Sequence, residues 1–340
     1  MKNKKWISLA AAVVLAVTAL PMGVFAAKKD STEEKLTKVT LNEVAHSIFY
    51  APQYVAIEEG YFAEKGLDLT LVTGFGADKT MTAVISGEAD IGFMGAEASV
   101  YAYQEGATDP VVNFAQLTQR AGNFLVAREE MPDFKWEDLK GEKVLGGRKG
   151  GMPEMVFEYI LKKNGMDPQK DLTIDQSIDF GSTAAAFTSD DSAAYTVEFE
   201  PSATILEKEG AGYVVASLGE ASGYVPYTSY STKASYMKEN PEIIQKFTDA
   251  LQKGMDYVQS HTPEEIAEVI APQFKETDLE TITAIVKRYY DQDTWKENLI
   301  FEKDSFELLQ DILEDAGELT DRTAYENLGQ TEYAQKACEN

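Results

Sequence analysis

Residues 41–106 read LNEVAHSIFYAPQYVAIEEGYFAEKGLDLTLVTGFGADKTMTAVISGEADIGFMGAEASVYAYQEG. This stretch decides the fold class. Residues 38–42 lead into it with an alternating pattern that predicts a first strand. Residues 50–60 have a helical pattern, and Gly60 is a stop. A second strand is predicted over 67–72, a loop at Gly74-Phe75-Gly76, and a helix over 77–86 stopped by Gly87. Residues 90–94 then read as a third strand and 96–104 as its helix. Strands alternating with helices at this spacing predict βαβ units and a mostly parallel sheet in an α/β protein.

Downstream, 111–117 and 123–128 read as two more strands. A second unit begins near residue 140. It has strands at 143–146, 172–174, 193–197 and 213–216, and helices at 153–163, 183–187 and 202–209. Residues 225–230 form an extended return segment, and the chain after it reads as helical. Asn240-Pro241 and Thr262-Pro263 start helices, and Thr277 with Glu280 has the spacing of a capping box. This order predicts a discontinuous first lobe, 36–122 plus 227–330, with a second lobe, 128–222, inserted into it. The two crossings between them would form a hinge.

The N-terminus carries Lys2, Lys4 and Lys5, then an apolar run over 6–20 broken by Pro21, then Val24-Phe25-Ala26. This is the pattern of a signal peptide over 1–26, followed by a flexible leader over 27–35. The run is short for a membrane span. Residues 331–340 read as a tail holding Cys338, the single cysteine, so no internal disulfide can form. No cysteine lies near the expected cut, so no lipid anchor is expected. The whole chain has a net charge of −26; loss of 1–26 removes three lysines and no acid, giving −29. That charge argues against nucleic acid or an anionic membrane as a partner.

In open α/β sheets, ligands bind beyond the carboxyl ends of the strands. That rule selects Glu43, His46, Phe49 and Tyr50 after the first strand, Gly95 and Glu97 after the third, and Thr118 and Arg120 after the fourth. In the second unit it selects Arg148, Gly150, Gly151 and Met152, the segment Asp179-Phe180-Gly181-Ser182, and Glu198, Phe199 and Glu200. Tyr227 joins them from the return segment. The Gly146–Pro153 segment either cradles an oxyanion at a helix start or is a plain tight turn. It lacks the Gly-Lys-Ser/Thr ending of a phosphate-binding loop. Glu198 and Glu200 either meet a ligand or serve the hinge and the following helix as caps. His46 is either structural or a ligand contact. Arg120 and Arg148 either bind an anion or balance nearby acids.

The phrases Glu59-Gly60-Tyr61-Phe62, Gly66-Leu67-Asp68-Leu69 and Gly87-Glu88-Ala89-Asp90-Ile91-Gly92-Phe93 resemble those of a known family. It is the nitrate/sulfonate/taurine and thiamine-precursor group of ABC-importer solute-binding proteins (NMT1/THI5-like, SsuA-like). The resemblance extends more loosely over most of the chain after residue 36. It implies a two-lobe periplasmic-binding-protein type II fold, a small-molecule solute, a membrane permease as partner, and a monomer in the periplasm or secreted. Carboxylates beside aromatic rings favour an aminopyrimidine-like thiamine precursor or a related heterocycle, with sulfonate, taurine or nitrate as the alternative. No cofactor or metal is expected. An enzyme is disfavoured: two histidines and one cysteine leave no cysteine-rich segment like that of the related pyrimidine synthases, and no Ser-His-Asp set.

Overall fold

The computed structural model describes residues 35–178 and 180–339. The expected signal peptide, the leader up to residue 34, and Asp179 lie outside the described residues.

Among the described residues, ten strands form two five-stranded sheets. The first runs β2-β1-β3-β10-β4, where β1 is Thr37–Glu43, β2 Leu67–Thr73, β3 Ile91–Met94, β4 Val111–Thr118 and β10 Thr228–Lys233. The second runs β7-β6-β8-β5-β9, where β5 is Asn123–Ala127, β6 Lys143–Leu145, β7 Thr173–Asp175, β8 Tyr195–Phe199 and β9 Tyr213–Ser217. Both sheets are mixed, for one topological reason. The chain enters the second sheet on β5, which lies antiparallel to β8 and β9, and returns to the first on β10, antiparallel to β3 and β4. The remaining paired strands in each sheet are parallel.

Burial follows strand position. All eight residues of β4 are buried, polar and apolar alike, as expected for a strand covered on both faces. The edge strand β2, Leu-Asp-Leu-Thr-Leu-Val-Thr, is largely alternating and leaves one face open. The predicted helix at 50–60 divides into a 3-10 turn, Ile48–Tyr50, and a helix, Ala51–Glu58. Gly60 then takes φ 74°, which a residue with a Cβ adopts only under strain, and turns the chain into the short helix Tyr61–Glu64. The helix Ala77–Ser86 stops at Gly87 as predicted.

Three sequence expectations change. The capping box at Thr277 does not form: Asp278 caps the helix Leu279–Asp291 and accepts from Thr281 N at 2.9 Å. Starting there places Ile282, Ile285, Val286 and Tyr289 in the core. A capping box forms instead at Thr262 and Glu265. β8 extends to Phe199, so Glu198 and Phe199 lie in the strand rather than beyond it. The segment read as a tail contains the helix Glu332–Ala337, with Tyr333, Ala334 and Ala337 buried.

Candidate functional site

The aromatic residues at the strand ends come together. The Phe49 ring lies 5.3 Å from Tyr50, 5.8 Å from Tyr227 and 6.4 Å from Phe199, centroid to centroid. Phe199 and Tyr227 are 6.4 Å apart. Phe49 and Tyr50 follow β1, Tyr227 precedes β10, and Phe199 ends β8, so both sheets contribute to one aromatic wall. Gly122, in the crossing between β4 and β5, is part of its geometry: a Cβ there would sit 2.7 Å from the Phe49 ring. Tyr289 fixes the same crossing by donating to the Gly122 carbonyl at 2.9 Å.

Glu97 stands at the first turn of the helix Glu97–Gln104 and is 7 % exposed. Its Oε2 has no hydrogen-bond partner among the described residues. Burial pushes its pKa up to about 7. Its charge in turn helps raise the Tyr50 and Tyr227 hydroxyls, after their own burial, which places all three in one electrostatic neighbourhood. The carboxylate folds over Gly95, where a Cβ would stand 2.0 Å from Oε2.

The other carboxylates are committed differently. Glu43 is fully buried and accepts from Gln53 Nε2 at 2.8 Å, Tyr54 OH at 2.8 Å and Thr73 Oγ1 at 3.1 Å. Its Oε1 also lies 2.9 Å from His46 Nδ1, while His46 Nε2 lies 3.0 Å from the Gln273 carbonyl. Nδ1 faces the Glu43 carboxylate and the Tyr54 hydroxyl, Nε2 faces the Gln273 carbonyl, and the Glu43 hydrogen bond raises the His46 pKa. Glu198 accepts from Thr196 Oγ1 at 2.6 Å, and burial pushes its pKa to about 7. Glu200 accepts from Thr204 N and Oγ1, each at 3.0 Å, and pairs with Arg288. It serves as a cap and an ion-pair partner, one of the two roles its position allowed.

In the glycine-rich loop, Gly150 N donates to Glu154 Oε2 at 3.1 Å, and Glu318 lies beside Gly150. Burial, then the neighbouring Glu158, raises Glu154 to about 7. The start of the helix Met152–Lys163 at Gly151 is therefore flanked by acids, and Met152 is buried. Arg148 is exposed. Arg120 donates to the Gly219 carbonyl at 3.1 Å and lies 4.3 Å over the Tyr224 ring, beside the segments where the chain passes between the two sheets. Thr118 accepts from Thr228 N at 3.0 Å and so ties β4 to β10.

Sequence reasoning missed Asn123, the first residue of β5. It is fully buried, and neither Oδ1 nor Nδ2 has a partner among the described residues. The available signal was one amide ahead of the apolar run Phe124-Leu125-Val126. A surface groove of about 470 Å³ lies elsewhere and includes Phe124, Ser217, Arg288 and Gln292. It is open, and its Arg288 is already paired with Glu200 and Glu207. Among the described residues no helix is long and apolar enough to cross a membrane, and no group of three metal-ligating side chains is present.

Comparison with known proteins agrees with this architecture. The family described as NMT1/THI5 like matches residues 48–266. "Putative binding protein YtlA" of Bacillus subtilis (strain 168) is 45 % identical over 332 residues, covering 98 % of each chain. "Riboflavin-binding protein RibY" of Chloroflexus aurantiacus is 25 % identical over 236 residues, covering 68 % of this chain and 65 % of its own. The solved structure of the periplasmic nitrate-binding protein NrtA from Synechocystis PCC 6803 superposes with a TM-score of 0.68 at 16 % identity, covering 90 % of this chain and 89 % of that one. At that identity the likeness shows the fold, that of a periplasmic binding protein. With the family model matching residues 48–266, more than half of the chain, this chain belongs to the NMT1/THI5-like family.

Proposed function

We propose that this chain is the extracytoplasmic solute-binding component of an ABC importer and makes or breaks no bond. The two sheets act as two lobes, hinged where the chain crosses at 122–123 and 223–228. Opening separates Phe199 from Phe49 and Tyr227 and presents ring faces to a solute. Closure buries the solute, and the closed form docks on a membrane permease. The favoured solute is a small nitrogen heterocycle, with an aminopyrimidine-like thiamine precursor foremost.

The aromatic wall shared by the two sheets supports this reading, because a cluster of tilted rings suits a flat apolar-faced ligand more than a compact oxyanion. The acids around it support the same choice. Glu97, with Oε2 unpaired, and Glu154, which occupies the Gly150 N–H, both work against nitrate or a sulfonate.

Thermal-shift screening of the purified protein tests the proposal, since a ligand of the folded state raises the melting midpoint with concentration. The panel holds aminopyrimidines, thiamine, riboflavin, taurine, alkyl sulfonates and nitrate. A shift with ring compounds supports the reading. A shift confined to sulfonates or nitrate overturns it and moves the site to Arg148 and the Gly150-Gly151 helix start.

A further inference from the structure

Three polar side chains beside the aromatic wall are buried without hydrogen-bond partners among the described residues. They are Glu97 through Oε2, Tyr227 through its hydroxyl, and Asn123 through both side-chain polar atoms. Glu97 is 7 %, Tyr227 5 % and Asn123 0 % exposed. Leaving such groups unpaired costs stability, and an apolar side chain of similar shape at Asn123 would avoid the cost.

Their placement is shared. Asn123 stands directly opposite Phe199 in the antiparallel β5–β8 pair. Opposed residues project from the same face of a sheet, so the Asn123 amide lies beside the Phe199 ring. Phe124 projects to the other face, toward the Arg288 groove. Phe199 in turn lies 6.4 Å from Tyr227, which directly precedes β10, and β10 pairs through Ser229 with Met94 at the end of β3, three residues before Glu97. One arm therefore comes from the helix after β3 and the other from the strand that opens the second sheet.

We propose that Glu97 and Asn123 form a two-sided hydrogen-bonding clasp, one arm on each sheet, that selects the solute. The clasp rests on the binding-protein reading above. It takes a neutral or singly cationic nitrogen heterocycle whose edge offers both a donor and an acceptor, such as an exocyclic amine next to a ring nitrogen. Asn123 supplies the complementary acceptor and donor, Glu97 the carboxyl arm, and Tyr227 a hydroxyl between them. A ligand engaging one arm leaves the other buried and unpaired, so it holds the closed form poorly.

The test combines calorimetric binding of 4-aminopyrimidine with melting of the free protein, for the parent, Asn123→Leu and Glu97→Gln. Asn123→Leu weakens 4-aminopyrimidine about tenfold or more, the loss expected for a hydrogen bond in a dry site, yet melts at or above the parent temperature. Glu97→Gln also weakens binding. Unchanged affinity in both variants, or a lower melting temperature for Asn123→Leu, overturns the clasp; the second result makes Asn123 a structural residue. If the parent binds no ring compound, the binding reading fails. The clasp falls with it, whereas ring binding by the parent with unchanged affinity in both variants overturns the clasp alone.

Discussion

Arg288 on the helix Leu279–Asp291 reaches Glu200, just beyond β8, and closes an ion pair in which the Glu200 side chain is fully buried. The same carboxylate caps the helix Ser202–Lys208 through Thr204. It joins the second sheet to the C-terminal helices, with both oxygens engaged within the protein.

Glu200→Ala should therefore act on stability. Removing one partner of a buried pair strands the other, at a cost of about 3 kcal/mol. Arg288 retains Glu207 and some exposure, which keeps the loss at the low end of the usual range. Denaturant unfolding measures it. A variant as stable as the parent that no longer binds solute would instead place Glu200 in the site.

Gly95→Ala should do the reverse. The three atoms nearest the added Cβ are all at the flexible end of Glu97, so the fold survives while the carboxylate is displaced. We expect a melting temperature near that of the parent and a clear loss of affinity for the ring ligand. Retained affinity would remove Glu97 from the binding surface.

Gly254→Ala is the packing counterpart. Its Cβ would stand 2.2 Å from the Pro52 backbone carbonyl, where the helices Pro241–Ser260 and Ala51–Glu58 cross. Backbone cannot swing aside, so the helices must separate, at a cost of about 1–3 kcal/mol. Unchanged unfolding free energy would contradict this close crossing.

Stability of the unliganded protein should fall as pH rises from about 5 to about 8. Glu97, Glu154 and Glu198 each have a folded pKa raised to about 7 from an ordinary 4.5, all mainly through burial. Below 4.5 both states are protonated and the contribution is complete. Between 4.5 and 7 the folded state holds the extra protons, so each step up in pH costs stability, and above 7 the contribution is lost. His46, also raised, works in the same direction from its ordinary 6.5 upward. Glu97→Gln should flatten the slope of melting temperature against pH. A slope that rises over this range, or one Glu97→Gln leaves unchanged, contradicts the assignment.

The alternation of strand and helix over residues 41–106, with the stops at Gly60 and Gly87, was readable in the chain because it depends on neighbours a few residues away. So were the aromatic and acidic residues at the strand ends, since side-chain alternation and strand polarity are local rules. The cap at Asp278 was misread by one residue because two adjacent polar residues both suit the role and core packing chose between them.

Residue order alone specifies the α/β architecture and the pool of chemistry at its strand ends. Which of those groups remain free depends on long-range packing. Glu43, Glu97, Glu198 and Glu200 look alike in one dimension. Glu43 is consumed by Gln53, ten residues away, and Glu200 by Arg288, 88 residues away, whereas Glu97 keeps an oxygen unpaired. Asn123 was invisible for the same reason. Whether a buried polar group is satisfied depends on partners that folding brings from distant parts of the chain, and no local pattern encodes them.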